Sequence, residues 1–151
     1  MGNGTVSIQF YANDTAGNIG FSEIAVLKDI IAPVIEINRP FIYEVFGEDT
    51  PDYNINLTEG NLDMMWYRLN NGTIITSNTT FISFIGTIEQ SIWDQVGNGT
   101  VTIEFYINDT LGNLNSLSVS VRKQLLLPII IINTPHLDDI FGLESPIFTI
   151  S

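Results

Sequence analysis

The sequence predicts an all-β fold, an antiparallel sandwich, on three observations. Hydrophobic residues alternate with polar ones along several short runs. Thr100 to Ile107 is one: Val101, Ile103, Phe105 and Ile107 fall on one side, Thr100, Thr102, Glu104 and Tyr106 on the other. That period of two is the mark of a half-buried strand. The runs are separated at regular spacing by Gly, Pro, Asn and Asp, as in sandwiches built of short strands. The segment Thr87 to Val96 has no period-two pattern and reads instead as a short helical crossing.

Taken in order, residues 5–12 and 21–27 form two strands around the turn NDTAGN. Val34 to Asn38 follows Pro33 as a third strand, and Tyr53, Ile55 and Leu57 alternate with Asn54 and Asn56 in a fourth. Asp63 to Leu69 carries Trp66; Gly72 to Thr76 reads as a short edge strand after the Asn71-Gly72 turn; Thr80 to Ile85 carries Phe81 and Phe84. Thr87 to Val96 (TIEQSIWDQV) reads as one helical turn crossing between sheets, opened by a capping box of Thr87 with Gln90. The last two strands are Thr100 to Ile107 and the run in which Leu117, Val119 and Val121 alternate with Ser116, Ser118, Ser120 and Arg122. The turn NDTLGN joins them. Gly112 there supplies a positive φ and the Asp109 side chain accepts from backbone amides further along; Gly17 and Asp14 do the same in the first hairpin. Trp66, Ile103, Phe105 and Val119 are expected to share the core.

The two turns belong to a longer identity. FYANDTAGN (10–18) returns as FYINDTLGN (105–113), and sliding the chain by 95 residues aligns 1–56 with 96–151 without a gap, 24 positions being identical. A period this long indicates tandem domains. Its phase divides the chain into the closing hairpin of one repeat (1–29), a complete domain (30–124) and the opening strands of another repeat (125–151), so both ends read as cut within a repeat.

GNGTVTIEFYINDTLGN followed by a strand resembles the final hairpin of prokaryotic immunoglobulin-like repeats: a Gly-led strand, an aromatic, then Asp-x-x-Gly-Asn. The 95-residue period suits that sandwich, and Trp66 resembles its core tryptophan. The Asn- and Ile-rich style is similar to tandem-repeat surface proteins of archaea. The resemblance implies an immunoglobulin-like module without a disulfide, of the kind found in adhesins, surface-layer stalks and non-catalytic parts of secreted enzymes. Its expected place is extracellular, on a cell surface, and its partners are neighbouring repeats or other copies of itself.

Composition narrows the function further. Seventeen acidic residues face five basic ones, a net charge of -12. Such a surface repels phosphate backbones and anionic lipid heads, which argues against nucleic-acid and membrane partners. The longest apolar run, Leu125 to Ile132, is too short to span a bilayer. MGNGTVSIQF contains no basic region followed by an apolar core, so it does not read as a signal peptide. With no cysteine, thiol catalysis and thiolate metal sites are excluded. The single histidine, His136, aligns with Phe41 one repeat earlier, which is no place for a general base. No enzyme and no cofactor are expected.

Three kinds of site remain. Asp29, Glu48, Asp49 and Asp52, with Glu44, cluster in sequence near the start of the complete domain and offer hard oxygen ligands for calcium, though without a regular loop motif. Asn-x-Ser/Thr occurs at Asn3, Asn13, Asn56, Asn71, Asn78, Asn98 and Asn108, each at an expected turn or strand edge, where a glycan would be exposed. Tyr11 and Tyr106 face outward on equivalent strands, with Tyr67 a further candidate, and offer surface glycans a stacking platform. A head-to-tail filament is a further alternative. The apolar face of 1–29 (Val6, Ile8, Phe10, Ile24, Val26) and that of 125–151 (Ile130, Ile132, Phe148, Ile150) are complementary parts of a repeat and could join between chains by strand addition.

Overall fold

A computed structural model describes residues 3–151. It is an all-β chain with one short helix, and its strands run in β1 (Gly4–Asn13), β2 (Ile19–Lys28), β3 (Val34–Arg39), β4 (Val45–Phe46), β5 (Asp52–Thr58), β6 (Leu62–Asn70), β7 (Thr79–Phe81) and β8 (Ile85–Thr87). The helix α1 (Gln90–Trp93) follows, then β9 (Gly99–Asp109), β10 (Leu114–Lys123), β11 (Ile132–Thr134) and β12 (Thr149–Ile150). Between residues 34 and 123 two sheets face each other. One has the order β4-β10-β9-β6-β7 and the other β3-β5-β8. The alternation read from the sequence puts Val101, Ile103, Phe105 and Ile107 of β9 on the inner face, all fully buried. Val119 and Val121 of β10 join them, and Ile35, Tyr53 and Ile55 face them from the second sheet. Tyr53 spans the gap, its ring 5.8 Å from that of Phe105 and 5.2 Å from that of Phe81.

The register of β6 corrects one expectation. Trp66 is not in the core. Met65, Tyr67 and Leu69 point inward, which puts Trp66 on the outer face, half-buried and stacked on Tyr106 with ring centroids 5.5 Å apart and planes 3° from parallel. Tyr67 is correspondingly no surface aromatic: it is 1% exposed and accepts a hydrogen bond from the Glu89 N–H at its hydroxyl. Both faces of β6 carry large side chains, so alternation of size gives no parity there. The core tryptophan is Trp93, 0% exposed, which meets Phe46 edge-on at 6.3 Å and donates from Nε1 to the Gly47 carbonyl.

The helical turn crosses between sheets as expected, since α1 leads from β8 in the three-stranded sheet to β9 in the five-stranded one, but a second crossing precedes it. The run Thr80 to Ile85 divides into β7, in the five-stranded sheet, and β8, in the three-stranded one, so the chain changes sheets at 82–84. Gly86 lies across Tyr53, where a Cβ would come within 2.5 Å of the tyrosine hydroxyl; only glycine fits. The capping box does not form. Thr87 ends β8 and donates to Asp52, and α1 begins only after Glu89 with no side-chain cap. Gly72 to Thr76 is not a full strand but a turn held by Asn71, with a single bridge from Ile75 to Asn70.

β4 is the one parallel neighbour in the larger sheet: Val45 and Phe46 pair with Arg122 and Lys123 of β10. The contact extends on both sides, with Tyr43 N–H donating to the Ser120 carbonyl (2.7 Å), Arg122 N–H to Glu44 and Gln124 N–H to Phe46 (each 2.9 Å). Lys123 then turns inward, almost fully buried, and its Nζ donates to the carbonyls of Trp93 and Val96 at the end of α1.

The flanking segments stand apart from this core. Among the described residues β1 and β2 pair only with each other, from Gly4 opposite Lys28 to Asn13 opposite Ile19, and β11 pairs with β12. Ile8, Phe10, Ile24 and Val26 in the first pair and Ile130, Ile132, Phe148 and Ile150 at the other end are all exposed.

Candidate functional site

The two turns that share Asn-Asp-Thr-x-Gly-Asn, differing at Ala16 and Leu111, fold alike. Asp14 Oδ1 accepts from the N–H groups of Ala16 and Asn18, and Asp109 Oδ1 from those of Leu111 and Asn113, at 2.8–2.9 Å. The second oxygen of each aspartate accepts from the side-chain amide of Asn18 or Asn113, at 2.7 Å in both. Gly17 and Gly112 close the turns with φ of 86° and 85°, a backbone that a Cβ disfavours. The Asn18 amide leads the bonds that hold the Asp14 carboxyl below its ordinary pKa. Burial pushes Asp109 upward, but its bonds to Asn113, Leu111 and Gly112 outweigh it and leave that pKa lowered as well. Both aspartates are therefore carboxylates at neutral pH.

The Asp109 turn stands against the segment that joins β2 to β3. Asn113 Nδ2 donates to the Asp29 carbonyl (3.4 Å) and Asn115 Nδ2 to the Pro33 carbonyl (2.8 Å). From the other side, Asn3 Oδ1 accepts from the Ile30 N–H (2.5 Å) and its Nδ2 donates to Asp29 Oδ1 (2.7 Å). Leu111, at the tip of the turn, sits in a groove with Val6, Val26 and Leu27 of the hairpin. At residue 98, ninety-five positions after Asn3, the arrangement recurs: Asn98 Oδ1 accepts from the N–H of Leu125 at 2.7 Å.

This junction gathers three acids. Single carboxylate oxygens of Asp29, Glu59 and Asp109 all lie within 4.8 Å of one another. They come from the linker, the β5–β6 turn and the β9–β10 turn. The two turns are themselves tied by the Thr110 N–H to the Asn61 carbonyl (2.9 Å). Asp29 is the one residue of the expected calcium set that takes part. Glu48, Asp49 and Asp52 do not join it; Asp52 instead accepts from Thr87, and Glu44 pairs with Arg39 at 3.1 Å. The group that the fold assembles draws on three distant turns and shares only Asp29 with the set read from the sequence. Its spacing, 29, 59 and 109, leaves no local motif. The signal that could have found it is Asp109, a turn aspartate one repeat from Asp14.

The second candidate surface is the outer face of the five-stranded sheet. Glu104 there accepts from Arg68 Nε (2.7 Å), the Tyr106 hydroxyl (2.8 Å) and Asn70 Nδ2 (3.2 Å). Burial raises the Glu104 pKa, and its bonds to Arg68, Tyr106 and Asn70 more than reverse that. Trp66 covers one face of the Tyr106 ring, and Arg68 Cζ is 5.2 Å from its centroid. Tyr106 is engaged with its own sheet, while Tyr11 stands exposed on the hairpin beside Phe21. His136 is exposed, its Nδ1 3.6 Å from a carboxylate oxygen of Asp139.

No family model and no curated protein matches the chain. Among solved structures, an engineered protein aligns at a TM-score of 0.47 and 12% identity over 62% of this chain and 20% of that protein. The chain thus spans about a fifth of that neighbour's length. No described helix is long and apolar enough to cross a membrane.

Proposed function

We propose that the chain is a non-catalytic, immunoglobulin-like tandem-repeat module of a cell-surface or secreted protein, whose work is to space and join. The observation that carries this reading is the recurring clamp. Asn3 holds the first residue of the linker before β3, and Asn98 holds the equivalent residue after β10. A linker whose amides are held by one unit, and whose carbonyls are held by the next through Asn113 and Asn115, transmits a fixed angle between units. A flexible tether would leave those groups to water. Small-angle scattering of the chain and of Asn3→Ala tests it. The parent protein is expected to scatter as one stiff particle, and the variant to spread its pair-distance distribution as the hairpin swings. Identical profiles would show that Asn3 does not fix the angle between the units.

A second reading, calcium at the junction, is favoured by the Asp29–Glu59–Asp109 group. Three carboxylates so close repel one another, and a hard cation with oxygen preference relieves that repulsion while tying linker to turns. Calcium in excess is expected to raise the melting temperature by about 5 °C over a chelator-treated sample, and Glu59→Gln to abolish the increment. An equal melt in both solutions excludes the site.

A further inference from the structure

The seven Asn-x-Ser/Thr sequences are not equivalent once their amides are followed. In Asn3 and Asn108 both ends of the amide are engaged: Nδ2 donates to Asp29 and Asp63, and Oδ1 accepts from the N–H groups of Ile30 and Met64. Asn98 and Asn71 hold backbone N–H groups with Oδ1. Asn56, on the middle strand of the smaller sheet, donates to Glu36 at 3.3 Å. Asn78 is exposed, makes no side-chain hydrogen bond among the described residues, and lies in the segment leading into β7. Asn13, near the tip of the hairpin, shares that freedom.

What sets Asn78 apart is its surroundings. β7 is the last strand of the larger sheet, so its far side is an open edge. Open edges invite pairing with other chains unless something covers them. Ile82, directly after β7, is 95% exposed, and Ile75 across the preceding turn is exposed as well. This edge has no lysine, no proline and no bulge to blunt it. It does have the sequence Asn78-Thr79-Thr80, with Thr80 exposed at the third position.

We propose that Asn78 is a site of N-glycosylation and that its glycan shields the β7 edge. The inference rests on the surface-protein reading above, since the modification needs export to a compartment with the transferase. The donor class is an oligosaccharide linked to a lipid through pyrophosphate. Asn78 Nδ2 forms a bond to C1 of the first sugar, and the bond from C1 to the pyrophosphate oxygen breaks. The oxygen leaves with the electron pair, the amide gives up one proton, and nothing is oxidised. A bulky, hydrated group at this place covers Ile75 and Ile82 and keeps another strand from approaching.

The test is made on the folded, purified chain with an oligosaccharyltransferase and its lipid-linked donor, read by peptide mapping and mass spectrometry. Occupancy at Asn78 is expected to exceed that at Asn3 and Asn108 at least tenfold, and Asn78→Gln to lose that adduct alone. A free peptide spanning 74–82 serves as the enzyme's positive control. Modification of that peptide without modification of Asn78 in the folded chain overturns the site, as does equal occupancy at Asn3 or Asn108. Sedimentation then compares the treated chain with treated Asn78→Gln. The variant is expected to self-associate at several-fold lower concentration, and equal association overturns the shielding role. These outcomes are independent of the surface-protein reading, because the transferase is supplied in the tube.

Discussion

Replacing Trp93 by alanine is expected to cost about 3–5 kcal/mol, the cost of emptying a large aromatic site in a close-packed core. A domain of this size is typically stable by about 5–15 kcal/mol, so the variant is near the edge of folding. Trp93 is fully buried, touches Phe46 edge-on, lies 4.8 Å beneath the Lys123 ammonium and anchors the loop after β4 through the Gly47 carbonyl. Trp66→Ala removes a half-buried ring from the outer face, and its expected cost is about 1 kcal/mol, mostly the stack with Tyr106. Urea unfolding followed by far-ultraviolet circular dichroism compares the two without depending on tryptophan emission. A larger loss for Trp66→Ala than for Trp93→Ala would reverse the assignment of the inner face.

The second large effect is expected at Asp109. Its carboxylate is almost wholly buried and holds two backbone N–H groups and the Asn113 amide. Asp109→Asn keeps the shape and the two bonds to Oδ1 but sets an NH2 group against the Asn113 amide, and is expected to lower the melting temperature by several degrees. The sign of the pH effect follows from the lowered pKa. A carboxyl whose folded pKa lies below its unfolded value adds stability above about pH 4, and that contribution disappears as pH falls through the folded value. The parent chain should therefore lose more melting temperature between pH 7 and pH 3 than Asp109→Asn does. Equal acid sensitivity in the two would show that Asp109 is not the group responsible.

The sequence was most readable where a residue type and a backbone conformation require each other. Asp-Thr-x-Gly-Asn has few alternatives to the turn it makes, because glycine takes the positive φ and aspartate caps the amides, so both hairpins could be placed from the letters. β9 and β10 were legible for a related reason: Val101, Ile103 and Phe105 alternate with small or charged residues. β6 defeated the same reasoning. In Leu62–Asn70 both faces are bulky, since the outer face supports an aromatic stack and an Arg68–Glu104 pair. Trp93 had a signal that alternation does not register: Ile88, Ile92, Trp93 and Val96 are spaced as one side of a helical turn, and all four are buried. The acidic group at the junction had only a partial signal, the repeated turn aspartate Asp109, because tertiary folding alone brings 29 and 59 to it. The all-β, sandwich-like arrangement was therefore legible early, and its candidate site was not.

The parallel contact between β4 and β10 bears on how such a module would respond to tension. Pulling between the linker before β3 and the linker after β10 draws the two strands in opposite directions along their common axis. The bonds from Tyr43 to Ser120, Arg122 to Glu44 and Gln124 to Phe46 are then loaded together in shear. An antiparallel edge pulled from one end peels open bond by bond, whereas this patch must yield as a unit. Lys123, anchored at the same place to the Trp93 and Val96 carbonyls, acts as a bolt through the end of the strand that carries the load.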